Sequence, residues 1–439
     1  MKTFRLIILL IAFPSLPRLL AGDGAPTDGQ LAITPDIVDR LLHEARAANP
    51  ALEASGARAD AASAAIDSVR KWEDPTFSLG LWQSAPQGMK ASQEGNIIYG
   101  VEQRLPVFGR PELARNTAEA RAATARLGVA YDIQRLRRDL SVNLHELAFA
   151  DRSLELGRED LRWLEATVSA VDSRYRAGKS SQVEWLRAQT ERAKVADNIT
   201  TLELEREHEQ VLLNRLLNRN LHTPWPRVAL PDVAGRVPFS DALVRDAMDW
   251  APKLKILREE TEESEAEALL TRRQRLPAIG VGLEARQYSG DAGIREGMLT
   301  VDFTLPWLNG KQYDSDLRRD LALKRARERD AADYELSIRE DVHHLTVDLD
   351  NSRRQALLYR GQIIPLTEQT LSSAEAAWES GLGPFQDVLD AHRMLVENRL
   401  TVARAVTDQA DRLADLTLLT GVYDLSSYTS AHSPEEAHH

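Results

Sequence analysis

The stretch Tyr175-Arg-Ala-Gly178-Lys-Ser180-Ser181-Gln-Val183-Glu184-Trp185-Leu186-Arg187-Ala188 returns later in the chain as Trp378-Glu-Ser-Gly381-Leu-Gly383-Pro384-Phe385-Gln-Asp387-Val-Leu-Asp390-Ala391. Gly178 and Gly381 stand 203 positions apart, as do Ala188 and Ala391. Other landmarks keep nearly the same offset: Asn49-Pro50 against Ala251-Pro252 and Pro75 against Pro277 at 202, and Leu105-Pro106 against Leu305-Pro306 at 200. A unit of about 200 residues is far longer than a solenoid repeat, so the chain is two copies of a domain-sized module rather than an array. Whatever one half folds into, the other must fold into as well.

The repeated stretch reads as a turn between long helices. Ahead of its second copy, Val342, Leu345, Leu349, Ala356 and Ile363 keep a seven-residue rhythm with an occasional split of three and four; beyond it Phe385, Val388, His392, Leu395, Val402, Val406 and Leu413 resume it. That is the period of helices packed as a coiled coil. Gly381 and Gly383 allow positive φ where the first helix ends, and Pro384 suits the first turn of the next, so the expected motif is an αα-hairpin.

The order of the remaining elements follows from changes of period. Thr34 to Arg70 is an Ala-rich helical pattern broken at Asn49-Pro50. From Pro75 the pattern alternates, with Phe77, Leu79 and Leu81 on one side. After the polar stretch from Ala85 to Gly95 it alternates again through Ile97, Tyr99 and Val101, which predicts a β-hairpin. No proline occurs between Pro111 and Pro224, and Leu140, Leu144, Leu147, Leu154, Leu161, Leu164, Val168, Val171 and Tyr175 share one seam. A helix from Pro111 to Arg176 would run on the order of 100 Å. It turns at Gly178 and returns through Ile199, Leu202, Leu213 and Leu216. Asn220 to Val237, with three prolines, links the halves. The second copy then predicts a helix over Asp241 to Arg275, strands over Ala278 to Arg286 and Met298 to Leu305, and a long helical hairpin kinked at Gly361 and Pro365.

Residues 1–21 carry Lys2 and Arg5 before an apolar run from Leu6 to Phe13, the pattern of a secretory signal peptide; an uncleaved anchor would need a longer run without Pro14 and Pro17. The expected division is therefore a signal peptide over 1–21, a first repeat over 22–219, a linker over 220–237, a second repeat over 238–421 and a polar tail over 422–439. Cysteine is absent, which removes disulfides, thiolate metal sites and a lipid-bearing N-terminal cysteine together. A net charge of −12 leaves no basic field, so nucleic acid is not an expected partner. Neither a catalytic constellation nor a cofactor motif is legible, so no enzyme activity, cofactor or metal is expected. His343 and His344 are adjacent, the wrong spacing for joint ligation from a helix; His392 continues an apolar seam; His432, His438 and His439 sit in the tail with Glu435 and Glu436.

The alternating segments admit two readings. Each is about the length that crosses a bilayer as a tilted strand, but four strands cannot close, and open edges do not survive in hydrocarbon, so several chains would have to pool them. Alternatively they are ordinary hairpins buried against the helices of a soluble periplasmic coiled-coil scaffold. Here a resemblance enters. The order helix, two strands, long helix, glycine turn, return helix, stated twice behind a signal peptide, resembles the TolC family of outer-membrane channel proteins over Thr34 to Gly421. Asn49-Pro50, Gln103-Arg-Leu-Pro106 with Gly109, Tyr175-x-x-Gly178, and Gly381 followed by Phe385-Gln-Asp387-Val-Leu-Asp390-Ala391 carry it. Trp378 stands where a tyrosine is common, and Gly383 where some members have an arginine that helps hold the tip closed.

The resemblance implies a mainly α fold with β: long coiled-coil helical hairpins and two transmembrane β-hairpins. In a homotrimer these would build a twelve-stranded β-barrel in the outer-membrane lipid, continuous with a twelve-helix α-barrel in the periplasm. It implies a passive exit duct for a tripartite efflux pump, working with a periplasmic adaptor and an inner-membrane transporter; a duct for type I protein secretion remains the alternative. Asp387 and Asp390 would line the aperture as rings of negative charge. They lie three apart, so both carboxylates face one way on a helix, about 4.5 Å apart along its axis. Gly178, Ser180, Ser181, Gly381 and Gly383 would form the tips that meet the adaptor. Glu184 and Arg187 hold the matching positions of the first repeat, where they could pair across the tip.

Overall fold

A computed structural model of the chain describes residues 30–82, 96–288 and 293–423. The expected signal peptide, the polar stretch Ala85 to Gly95 and the tail beyond Tyr423, with its three histidines, lie outside the described residues.

The first repeat runs β1 (Leu31–Ala32), α1 (Pro35–Ala48), α2 (Pro50–Ser68), β2 (Thr76–Trp82), β3 (Asn96–Arg104), α3 (Arg110–Arg176) and α4 (Gln182–Leu216). After the link carrying β4 (Val228–Ala229), the second runs α5 (Asp241–Trp250), α6 (Pro252–Gln274), β5 (Ile279–Tyr288), β6 (Ile294–Phe303), α7 (Gly310–Leu358), α8 (Ile364–Glu379) and α9 (Phe385–Thr420). At 67 residues, α3 spans about 100 Å. The breaks have local causes. Asn49 ends α1 and starts α2: its Oδ1 accepts from the amides of Ala51 and Leu52 at 2.8 and 3.3 Å, while its Nδ2 donates to the Leu216 carbonyl at 2.8 Å. Between α7 and α8 the backbone passes through a π turn, Tyr359–Ile363, in which the Ile364 amide reaches back five residues to the Tyr359 carbonyl. Pro365, with no N–H and a ring that crowds the carbonyl four residues back, explains the widened turn at the expected kink.

The four long strands form one antiparallel sheet in the order β2-β3-β5-β6. Register places Phe77 opposite Val101, Val101 opposite Leu283, Leu283 opposite Leu299, and Val281 opposite Val301. Most of the large apolar residues therefore share one face, with Ile98 and Met298 on the other, and nothing among the described residues covers it: Leu81 is 83% exposed and Leu299 is 74% exposed. The opposite face carries Ser78, Gly100, Glu102, Glu284, Thr300 and Asp302. The scaffold reading, in which these hairpins are buried within one chain, fails on this observation. Strand β6 begins four residues before the expected Met298. Among the described residues no helix is long and apolar enough to cross a membrane.

The helices continue the sheet as a wall. Next to the strands the order is α2-α3-α6-α7, and at the far end it is α4-α3-α9-α8, with α3 running through both levels. Midway, each repeat sets its first short helix against its own long helix. Val38, Leu41 and Ala45 of α1 pack on Leu140, Leu144 and Leu147 of α3, and Leu243 and Ala247 of α5 pack with Ile338 and Val342 of α7 and Leu416 of α9. The link between repeats is anchored here. Trp225 is buried and donates from Nε1 to Asn214 Oδ1 at 2.9 Å, and β4 pairs in parallel with β1. Sheet and wall each end in two unpaired edges.

Candidate functional site

At the end of the wall remote from the sheet, both helical hairpins turn by the same backbone device. Gly178 sits at φ +72 and Gly381 at φ +75. In each turn the glycine amide bonds three residues back (Tyr175 and Trp378 carbonyls, 2.9 and 3.1 Å), and the next amide bonds five back (Arg174 and Ala377 carbonyls, both 2.8 Å). This is a Schellman cap, which requires a left-handed residue and so selects glycine. Gly383 does not have the positive φ expected of it. Its amide bonds the Ala377 carbonyl at 3.0 Å, and an added Cβ would stand 3.0 Å from the Ala377 Cβ, so close approach, rather than left-handed backbone, accounts for glycine there. Pro384 is the residue before α9, not within its first turn.

Beneath the turns one apolar cluster joins all four helices: Leu164 and Val171 of α3, Ala188 of α4, Leu371 and Trp378 of α8, and Phe385, Val388 and Leu395 of α9. The Trp378 and Phe385 rings lie 5.2 Å apart. Arg174 closes the joint. Its guanidinium lies 4.6 Å from the centre of the Trp378 ring and donates to the Trp378 and Glu379 carbonyls, each at 3.3 Å. A cation here also complements the negative end of α8. Tyr175, expected on the buried seam, is instead exposed and stacks on Trp185.

Glu184 is spent within its own turn. Its carboxylate accepts from the Ser181 amide at 3.2 Å and from the Ser180 hydroxyl, while its amide donates to Ser181 Oγ at 3.2 Å, a complete capping box. It does not pair with Arg187. Arg187 instead crosses to the second hairpin and donates to Gln386 Oε1 at 3.3 Å. From there a chain of polar contacts runs along the tip: Gln386 Nε2 donates to Asp390 Oδ1 at 2.9 Å, Arg393 Nη1 donates to the same oxygen at 3.0 Å, and Arg393 Nη2 pairs with Glu191 at 2.7 Å. Lys194 completes it, 3.0 Å from Glu191. Burial works to raise the Glu191 carboxyl, but the bonds from Arg393 and Lys194 outweigh it and hold the group below the usual carboxylate range. The bond to Glu191 in turn raises Arg393.

Asp387 and Asp390, both exposed in the first turns of α9, are therefore not equivalent. Asp390 is bound to a cation and an amide. Asp387 has no side-chain partner among the described residues and faces solvent. Sequence reasoning missed Glu191, Gln386, Arg393 and Arg174. One turn deeper, His392 lies against the Trp163 ring at 3.5 Å and bonds Asp160 through Nε2 at 2.9 Å, which explains a histidine on an apolar seam. His343 packs against Phe239, and His344 meets Asp348 at 3.3 Å.

The sequence model of one family, described as outer membrane efflux protein, matches residues 41–219 and 243–422, one match to each repeat. A search of the curated proteins returns no match. Solved structures of similar shape include the outer-membrane channel OprN (16% identity, 88% of this chain and 90% of that one, TM-score 0.76). The outer membrane protein VceC from Vibrio cholerae is also similar (16% identity, 87% and 95% covered, TM-score 0.72). So is the CmeC outer membrane channel of Campylobacter jejuni (12% identity, 89% and 88% covered, TM-score 0.71).

Proposed function

Because this chain belongs to the outer membrane efflux protein family, we propose that three copies of it form the exit duct of a tripartite efflux pump, joined at the periplasm by an adaptor and an inner-membrane transporter. The protein is an outer-membrane channel with a periplasmic helical part, and not an enzyme. The observation that carries the assembly is the sheet with one bare apolar face and two open edges. Hydrocarbon accepts the face but not the edges, whose N–H and C=O groups must be paired. With four antiparallel strands, β2 and β6 run in opposite directions, so β6 of one copy can continue antiparallel onto β2 of the next. Cyclic closure then satisfies every edge at once. The protein is expected to fractionate with the outer membrane and to run as a trimer in mild detergent. A monodisperse monomer that needs no detergent overturns the proposal.

At the other end, Asp387 and Asp390 are read as the aperture gate, and Gly178, Ser180, Ser181, Gly381 and Gly383 as the adaptor-contact tips. The support for the tips is exposure: Leu382, beside Gly381, is 87% exposed, a large apolar residue at the extremity of a hairpin that none of the described residues covers. Gly381→Val forces a β-branched residue into left-handed backbone, costing roughly 1–3 kcal/mol of local strain. No side chain lies within 4 Å of the position, so the strain stays in the tip. Crosslinking to the adaptor and drug resistance should both fall while trimer yield holds. Normal resistance and crosslinking in both Gly381→Val and Gly178→Val remove the turns from the contact.

A further inference from the structure

The four crossings between sheet and helices carry a pattern that the channel reading leaves unused. Each crossing shows large apolar or cationic groups to solvent: Lys71 and Trp72 before β2, Phe108 after β3, Arg272 and Arg273 before β5, and Trp307, Leu308 and Lys311 after β6. The four apolar side chains are between 43% and 73% exposed. Phe108 is held outward by left-handed backbone at φ +62, a conformation a side chain resists and a packed core would not require. Nearby acids are committed: Asp74 to Arg70, Glu73 to Arg104 at 3.4 Å, Asp314 to Arg275 at 2.6 Å. The side chains of Lys71, Arg272, Arg273 and Lys311 have no partner among the described residues. The other acids beside the crossings lie to either side of this level: Asp67 and Glu112 on the helical side, in α2 and α3, and Glu102 and Asp302 on the polar face of the sheet.

We infer that this level is a docking belt for anionic phospholipid headgroups in the periplasmic leaflet of the outer membrane, the aromatic rings seated at the interface and the four cations holding the phosphates. The inference rests on the membrane reading of the sheet. The belt is continuous with the sheet's bare apolar face and has the opposite charge to such headgroups, whereas the chain as a whole is acidic. Amphipathic rings favour this depth, and each basic residue near an anionic surface strengthens attachment by about fivefold.

The test uses the full-length trimer in detergent, titrated with phosphatidylglycerol and with phosphatidylcholine and read by native mass spectrometry, beside the quadruple variant Lys71→Gln, Arg272→Gln, Arg273→Gln, Lys311→Gln. The wild type should retain phosphatidylglycerol preferentially. The variant should lose at least tenfold in phosphatidylglycerol affinity and bind phosphatidylcholine as before. In vesicles, lipids brominated near the glycerol should quench fluorescence that is lost on Trp72→Phe and Trp307→Phe. Equal retention of the two lipids by the wild type, an unchanged preference in the variant, or no such quenching overturns the belt. Failure of the wild type to insert into any vesicle overturns the membrane reading instead.

Discussion

Cells producing Leu299→Arg should hold little or no trimer in the outer membrane, while cells producing Met298→Arg should hold nearly normal amounts. The two residues are neighbours in β6 and both are exposed, yet they point to opposite faces of the sheet. Leu299 pairs with Leu283 at mid-strand on the apolar face, and Met298 pairs with Glu284 on the polar face. Arginine facing lipid near the midplane costs about 2–4 kcal/mol, and a trimer would carry three copies of that penalty. An arginine on the polar face meets water and a carboxylate. Quantitative blotting of membrane fractions, with trimers scored on unheated gels, reads the difference. Equal yields from the two variants would mean that neither face meets lipid.

Asp387→Asn should lower the cation-to-anion permeability ratio of reconstituted channels severalfold, and Asp390→Asn should change it little. Charged constrictions concentrate counter-ions by about tenfold or more, but only charges left uncompensated contribute. Asp390 already binds Arg393 and Gln386; the Asp387 carboxylate binds nothing among the described residues. Arg393→Gln should therefore raise the ratio, because it releases Asp390 as a second free carboxylate. It also cuts the bond from α9 to Glu191 on α4, so conductance should rise with it. Single-channel recording in planar bilayers decides the matter. Identical selectivity in Asp387→Asn, Asp390→Asn and the wild type would make both residues ordinary surface acids.

Periodicity revealed the elements because it is a local property. The seven-residue rhythm marked the long helices and the alternation marked all four strands. Asn49-Pro50 located a helix break to the residue, since a capping side chain and a proline act on their immediate neighbours. The site was legible only in outline. Arg393 reaches Glu191 across 202 positions, and Arg187 reaches Gln386 across 199. Such distances carry no period. Glu184 looked available to Arg187 because sequence shows a charge but not whether a capping box has already used it. Gly383 illustrates a related blindness: glycine is required both by left-handed backbone and by crowding, and the letter is the same for each.

The twin Schellman turns bear on symmetry. If each repeat were a separate polypeptide, six identical units would close the tube, and all six tips would carry the same charges and move under the same rule. Fusing units in pairs breaks that degeneracy. One tip is free to lock its acid into its own turn, as Glu184 does, while the other leaves Asp387 bare. The proposed ring of three such chains would alternate fixed and uncommitted tips around its opening. In the proposed trimer, duplication would thereby turn a pseudo-sixfold collar into a threefold one, in which three hairpins could respond to a partner while the other three kept the rim in place.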